Sequence, residues 1–275
     1  MQFLKASLRS LCHRLGYEIV PRSPTPLLAE LTWARNELCR TGREFGAAVQ
    51  HFGHAVDECH LAWILQALDI ALVIDVGANH GQFAATCRRL GFRGRLVSFE
   101  PTPPLVQALS TAAANDPQWQ VIGKALGATP GEAELQVFGD SSFNSLHTAN
   151  PAGQSAFPDW MRPNGTARVP VSTLAAEWPA CRGDLVRPRC LLKTDTQGHD
   201  LEVLRGAGSI LPEVDAVACE AAMTPLYAGA PVYHETFAFL EQHGFVLSGL
   251  YPVSHLPAHP GLIEVNAYFV RRPAG

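Results

Sequence analysis

The sequence predicts a doubly wound α/β fold built on a mostly parallel sheet. Three observations point there: short apolar runs alternate with helical patterns from Ala71 onward, Val73 to Phe83 runs a strand into a glycine-bearing turn and a helix, and 275 residues that are 47% hydrophobic and 17% charged suffice for one well-buried core. Alternation of strand and helix places helices over both faces of a parallel sheet.

Met1 to Val20 sets Phe3, Leu4, Leu8, Leu11 and Leu15 at helical spacing, with Lys5, Arg9 and Arg14 among them. The segment lacks the unbroken apolar core and small-residue cleavage site of a signal peptide. It reads as an amphipathic helix that packs on the domain or a partner subunit, or else makes peripheral contact with a membrane surface. Pro21, Pro24 and Pro26 end it, and Leu27 to Leu68 reads as helical with interruptions near Gly42, Gly46 and Gly53. Residues 1–53 are therefore expected to form an N-terminal helical extension with a Pro-rich linker, and residues 54–275 the α/β domain.

Within that domain Ala71 to Val76, Arg95 to Phe99 and Trp119 to Ala125 are expected strands, with helices between them. Glu134 to Phe138 is a further strand, and residues 139–165 form a loop rich in Ser, Asn, Pro and Gly, functional or mobile by its length. A buried strand at Arg189 to Thr194 follows, then a helix from His199 to Ile210, a strand at Val214 to Glu220 and a helix at Val232 to His243. The segment between Phe245–Leu250 and Leu262–Arg271 carries Pro252, Pro257 and Pro260 and has no room for a helix. These two strands are expected to pair antiparallel as a C-terminal edge hairpin.

Lys and Arg number 21 against 25 Asp and Glu, the net charge is −4, and no block of like charge occurs, so nucleic acid is not an expected partner. The seven cysteines are odd in number and include no C-x-x-C pair. They read as reduced thiols of a cytoplasmic protein. The eleven histidines show no metal spacing, although His51 and His54 stand close, and no metal site is expected. No stretch approaches the ~20 consecutive apolar residues of a membrane span.

The chemistry is concentrated at Asp75-Val76-Gly77-Ala78-Asn79-His80-Gly81-Gln82, at the carboxyl end of the first strand. Ligands of open α/β sheets bind there. Gly77 admits a ligand close to the backbone, Asn79 and Gln82 are spaced to cap the next helix reciprocally, and Asp75 presents a carboxylate at the strand end. Glu100 ends the next strand, where a carboxylate accepts hydrogen bonds from both hydroxyls of a ribose. Asp75, Gly77, Asn79, Gly81 and Glu100 thus form a candidate adenosine-cofactor site. The glycines are Gly77 and Gly81 only, not G-x-G-x-x-G, which opposes a nicotinamide dinucleotide. A carboxylate before the turn suits a ligand with ammonium and sulfonium charges, S-adenosylmethionine, better than a diphosphate.

Leu192-Lys193-Thr194-Asp195-Thr196-Gln197-Gly198-His199-Asp200-Leu201-Glu202-Val203-Leu204-Arg205-Gly206-Ala207 resembles the K-I-D-x-[EQ]-G-x-E-x-x-V-L-x-G-A signature of the FkbM family of methyltransferases. Asp75 to Gly81 is similar to that family's D-V-G-A-N-x-G, Ser141 to Leu146 to its Ser- and Asn-rich loop, and Glu220 with Pro225-Leu226-Tyr227-x-Gly229 to a later block. Glu264 to Arg271 matches as well, so the resemblance spans roughly Leu72 to Arg271. Asp200 stands where the family commonly has Glu, and Asn266 where related sequences often carry Asp. The resemblance implies a Rossmann-like methyltransferase sheet and transfer of a methyl group from S-adenosylmethionine to a hydroxyl of a saccharide, glycolipid or secondary metabolite.

Such a transfer needs a base for the acceptor proton. Asp195, at the end of a buried strand, is the first candidate, and it reads equally as a cap for the following helix. His199 is the alternative base, though a histidine at a helix start is often merely exposed. Glu220, Asn144 and Ser145 are candidate substrate contacts, with a salt bridge or plain turn formation as their alternatives. The alternative to an enzyme is a non-catalytic subunit that retains adenosine-cofactor binding in the same fold.

Overall fold

The computed structural model describes residues 45–257 and 259–272. The amphipathic helix and Pro-rich linker expected before residue 45 lie outside the described residues. Contacts divide the chain into Met1–Ala55 and Val56–Gly275. Helix α1 (Phe45–Ala67) begins in the first unit and continues into the second, running through Gly46 and Gly53 where interruptions are predicted. A glycine costs a helix interior about 1 kcal/mol, too little to break a helix of 23 residues anchored elsewhere. In the second unit that anchor is Leu61, Ile64 and Leu65, buried against Val73, Leu96 and Tyr268.

The main sheet forms first from β1 (Leu72–Val76), β2 (Arg95–Phe99) and β3 (Trp119–Ile122), joined by α2 (Gln82–Arg89) and α3 (Pro103–Ala113). After a smaller sheet of β4 (Ala125–Leu126), β5 (Gly131–Phe138) and β6 (Pro163–Ser172), and helices α4 (Pro151–Ala156) and α5 (Leu174–Arg182), the chain returns as β7 (Cys190–Thr194). Helix α6 (Asp200–Ala207), β8 (Ala216–Ala222), α7 (Tyr233–Gln242), β9 (Phe245–His255) and β10 (Leu262–Arg271) complete it. The seven strands lie in the order β3-β2-β1-β7-β8-β10-β9. Pairing from β3 through β8 is parallel, whereas β10 runs antiparallel to both β8 and β9, as the edge hairpin predicts.

All five residues of β1 are buried. Leu72, Ile74 and Val76 enter one apolar cluster with Phe99, Leu192 and Leu204, and Val73 enters the other with Leu191 and Ala218. Successive strand side chains face opposite sides of a sheet. Helices therefore cover both, and each buried aliphatic contributes roughly 1.5–3 kcal/mol.

Two expectations need correction. The single strand predicted over Trp119 to Ala125 is two, β3 in the main sheet and β4 in the small one, with the chain changing sheets at Gly123 and Lys124. The loop predicted over residues 139–165 contains a 3₁₀ turn at Ser141–Phe143, α4 and the start of β6. Strand β6 is mostly exposed and carries Pro163 and Pro170, so neither apolar alternation nor propensity marks it. Antiparallel pairing with β5 makes it a strand.

The small sheet is docked through a backbone contact, because a Cβ on Gly206 of α6 would lie 2.0 Å from the Gly127 carbonyl oxygen just after β4. Gly206→Ala is therefore expected to destabilise the protein by about 1–3 kcal/mol in urea unfolding, the usual cost of overpacking. An unchanged midpoint would show that this contact yields freely.

Candidate active site at the carboxyl ends of the central strands

Chain order reverses at β1, which has β2 on one side and β7 on the other. A crevice opens at such a reversal beyond the carboxyl ends of the strands. The turn after β1 is held by Gly77 and Ala78, whose N–H groups both donate to the Phe99 carbonyl at 3.0 Å. Gly77 has φ 75°, and a Cβ there would lie 2.0 Å from the Asp195 carbonyl oxygen. The cofactor turn and the end of β7 thus touch backbone to backbone.

Glu100 follows β2 and is 5% exposed. Its Oε2 accepts from the Asn79 N–H at 3.0 Å and its Oε1 from the Thr102 N–H at 2.9 Å. Burial raises its pKa, offset in part by these hydrogen bonds and by Lys193. Each carboxylate oxygen keeps a lone pair for a further donor, as two ribose hydroxyls require. Asn79 does not cap the helix as predicted. Its left-handed backbone, φ 48°, supplies the N–H to Glu100, while its Oδ1 accepts from the Ser141 hydroxyl at 3.0 Å. Gln82 instead accepts from the His80 N–H, and Gly81, the residue before α2, packs on Leu109 and Trp119.

Asp75 is not presented at the strand end. It stands opposite Lys193 and Ser98 in the sheet register and has no exposed surface. Lys193 Nζ lies 3.0 Å from its Oδ1, 3.5 Å from Asp195 Oδ2, and donates to the Gly77 carbonyl at 3.1 Å. Burial alone pulls the lysine pKa down, but Asp75 and Asp195 outweigh it and keep the ammonium charged. Asp75 shares the Val73 face of β1, which α1 and α2 cover, so a carboxylate one residue short of the strand end is enclosed.

Asp195 keeps a side chain that is 39% exposed. The cap alternative is not realised, since α6 begins at Asp200 with His199 as its N-cap residue and no side-chain cap. Gln197 Nε2 donates to Asp195 Oδ1 at 3.1 Å and to Glu220 Oε2 at 2.8 Å, bridging the two carboxylates. The Tyr227 hydroxyl lies 2.8 Å from Gln197 Oε1 and 2.9 Å from the Phe143 carbonyl, and donates to one at a time. Gln197 and Tyr227 are site residues that sequence reasoning passed over. The T-Q-G step beside Asp195 held the signal.

His199 is not exposed. Its Nδ1 lies 3.2 Å from His147 Nε2, and burial, then His147, pushes its pKa down to about 4, so it is neutral near pH 7. Its recorded ring contacts are with His147, not with the carboxylates. Asn144 and Ser145 spend polar atoms inside the protein: Asn144 Oδ1 accepts from the Phe138 N–H at 3.0 Å, and the Ser145 hydroxyl, 1% exposed, donates to the Gln197 carbonyl at 2.7 Å. Ser145 fastens the loop to Gln197, and Asn144 ties it back to Phe138.

Glu220 borders a cavity with Asp200, Glu264, Thr236 and Tyr227. Burial raises its pKa well above the usual range, reinforced by Glu264, Asp195 and Asp200. Burial, then Asp195, likewise pushes Glu264 up to about 7, and Asp200 rises to about 6 for the same two reasons. A folded acid with a raised pKa holds a proton that the unfolded chain gives up near pH 4.3, so its stabilising effect is complete below that pH and lost as pH rises through about 7. Glu264→Gln should therefore gain stability relative to wild type, on the order of 3 kcal/mol, between pH 4 and pH 8 in urea titrations. A difference independent of pH would contradict the raised acid.

The sequence matches the model of the methyltransferase FkbM domain over residues 75–247. No curated protein matches it. Among solved structures, an FkbM methyltransferase from Methylobacillus flagellatus is 13% identical with a TM-score of 0.44, covering 96% of this chain and 70% of that one. Magnesium protoporphyrin IX methyltransferase from Synechocystis, solved with bound S-adenosylmethionine, is 12% identical with a TM-score of 0.43, covering 88% and 97%. Fibrillarin from Aeropyrum pernix, with natively bound S-adenosylmethionine, is 13% identical with a TM-score of 0.42, covering 78% and 74%. The family match spans well over half of the chain, so this protein belongs to the FkbM methyltransferases and its cofactor is S-adenosylmethionine.

Proposed function

We propose that the protein methylates a hydroxyl oxygen of a saccharide, glycolipid or secondary metabolite. The observation that carries this reading is the contact between the Gly77 turn and the Asp195 backbone, which sets a partly exposed carboxylate beside the cofactor turn. S-adenosylmethionine supplies an electrophilic methyl group on a sulfonium.

The chain's own groups divide the remaining work. Glu100, with both oxygens fixed by backbone N–H groups, accepts the ribose hydroxyls. Asp195 takes the proton as the acceptor oxygen gains the methyl group. Gln197 orients that carboxylate on one side and Lys193 on the other, which leaves it little freedom to turn away. Asp75, which has no exposed surface, serves by holding Lys193. Positioning of this kind contributes about 7–11 kcal/mol, and a general base about 10²–10⁴-fold in rate. Glu220 faces the acceptor.

The methyltransferase domain is assigned to residues 54–275, and most of the extension expected over residues 1–53, with its Met1 to Val20 helix, lies outside the described residues. No helix among the described residues is long and apolar enough to cross a membrane. We place the protein in the cytoplasm because Cys59, Cys87, Cys181, Cys190 and Cys219 are free thiols.

Glu100→Gln should weaken S-adenosylmethionine binding about 10- to 100-fold by calorimetry, the loss of hydrogen bonds to a charged acceptor, and unchanged affinity would remove Glu100 from the site. Asp195→Asn should leave that affinity within about threefold while lowering kcat roughly 10²–10⁴-fold on a hydroxyl acceptor that wild type turns over. A near-normal rate would exclude Asp195 as the base.

A further inference from the structure

The cavity beside Glu220 has a composition that the transfer step does not explain. Asp200, Glu220 and Glu264 border it from α6, β8 and β10, and no Lys or Arg does. Thr236 of α7, 4% exposed, also lines it, and its hydroxyl makes no hydrogen bond among the described residues. Glu220 Oε2 accepts from Gln197 and Glu264 Oε2 from Ser254 at 3.1 Å, and the second oxygen of each has no recorded donor. The cation at hand, Lys193, is committed to Asp75 and Asp195. Asp200 already accepts from the Thr196 N–H at 3.4 Å, and Glu220 and Glu264 crowd together with no Lys or Arg on the lining, holding protons that an entering cation would displace.

We propose that this cavity receives the ammonium group of an amine-bearing acceptor, an amino sugar or amino-substituted metabolite, with Glu220 and Glu264 meeting its charge and Thr236 accepting one of its hydrogens. An ammonium brings three donors and no acceptor, which matches Glu220 and Glu264 once they release their protons to it. Gln197 joins this cavity to Asp195 by hydrogen bonds to both carboxylates, so an acceptor held by its amine lays a neighbouring hydroxyl toward the base. Among the described residues no His, Cys, Asp or Glu group has the geometry to hold a metal ion, which disfavours a divalent cation in the same place. The proposal rests on the methyl-transfer reading and deepens it, assigning a chemical class to the acceptor.

Binding a cation here displaces protons, and the groups that share them are Asp200, Glu220 and Glu264, with Asp195, Lys193 and Tyr227 adjoining. The experiment follows the side-chain carboxyl ¹³C resonances of glutamate-labelled full-length protein, with and without S-adenosylhomocysteine, during titration with ethanolammonium chloride, ethylene glycol or magnesium chloride at constant ionic strength. Glu220→Gln and Glu264→Gln assign the two resonances. The expected result is a saturable shift of both with ethanolammonium, none with ethylene glycol, and affinity at least about tenfold weaker in either variant. Calorimetry of wild type in two buffers of different ionisation enthalpy should show proton release at pH 7, a readout that needs no variant. No saturation, an equal response to ethylene glycol, or saturation by magnesium instead would overturn the proposal, the last two pointing to a polyol pocket or an ion site. Ammonium binding without S-adenosylmethionine binding would sink the methyl-transfer reading alone, and the reverse would sink this one alone.

Discussion

A lysine ammonium enclosed between β1 and β7 organises the centre of this protein. Lys193 meets Asp75, the Gly77 carbonyl and Asp195, one contact on each part of the crevice that must stay in register. Removing a charge from water costs several kcal/mol, and an enclosed ion pair recovers that cost only where geometry and extra hydrogen bonds are good. Here Ser98 adds a hydrogen bond to Asp75 at 3.3 Å, and parallel pairing brings both partners to the same level of the sheet. Losing one partner would strand the other in the core. Such a pair adds little net stability but specifies one arrangement of strand ends.

From that anchor the charges fall into two regions. Toward the β1 turn, Glu100 is held by two backbone N–H groups, one on each carboxylate oxygen. Beyond Asp195, Glu220 and Glu264 crowd together with raised pKa values and no cation of their own. Gln197 stands between, with a left-handed backbone at φ 53° that aims its amide at both sides. Such strain in a residue other than glycine is tolerated where surrounding hydrogen bonds hold it, and it clusters at functional sites. Tyr227 and Ser145 supply those bonds, the first to the Gln197 side chain and the second to its carbonyl. The loop from Phe138 to Ser145 bears on Gln197 through the Ser145 hydroxyl, which donates to the Gln197 carbonyl.

The sequence by itself determined the main sheet. Strand β2 is legible at its full extent, and β1 and β7 to within one residue, because buried parallel strands are near-continuous apolar runs, while the absence of a helical pattern after Phe245 pointed to β10 as half of an antiparallel hairpin. It also placed the cofactor turn and Asp195 at strand ends, since local spacing alone says where a strand stops. Tertiary structure decided which polar groups remain available. Asp75 and Glu100 look alike along the chain, yet Asp75 is enclosed by neighbours on both sides and paired, whereas Glu100 sits one residue past its strand at the crevice. His199 became an inner neutral imidazole because burial, and then the neighbouring His147, disfavour its charge, and Glu264 became part of an acidic cavity only because β10 lies beside β8. Contacts between residues far apart in sequence fix burial and counter-ions, and these, not residue type, set which carboxylate is an anchor and which is free to act.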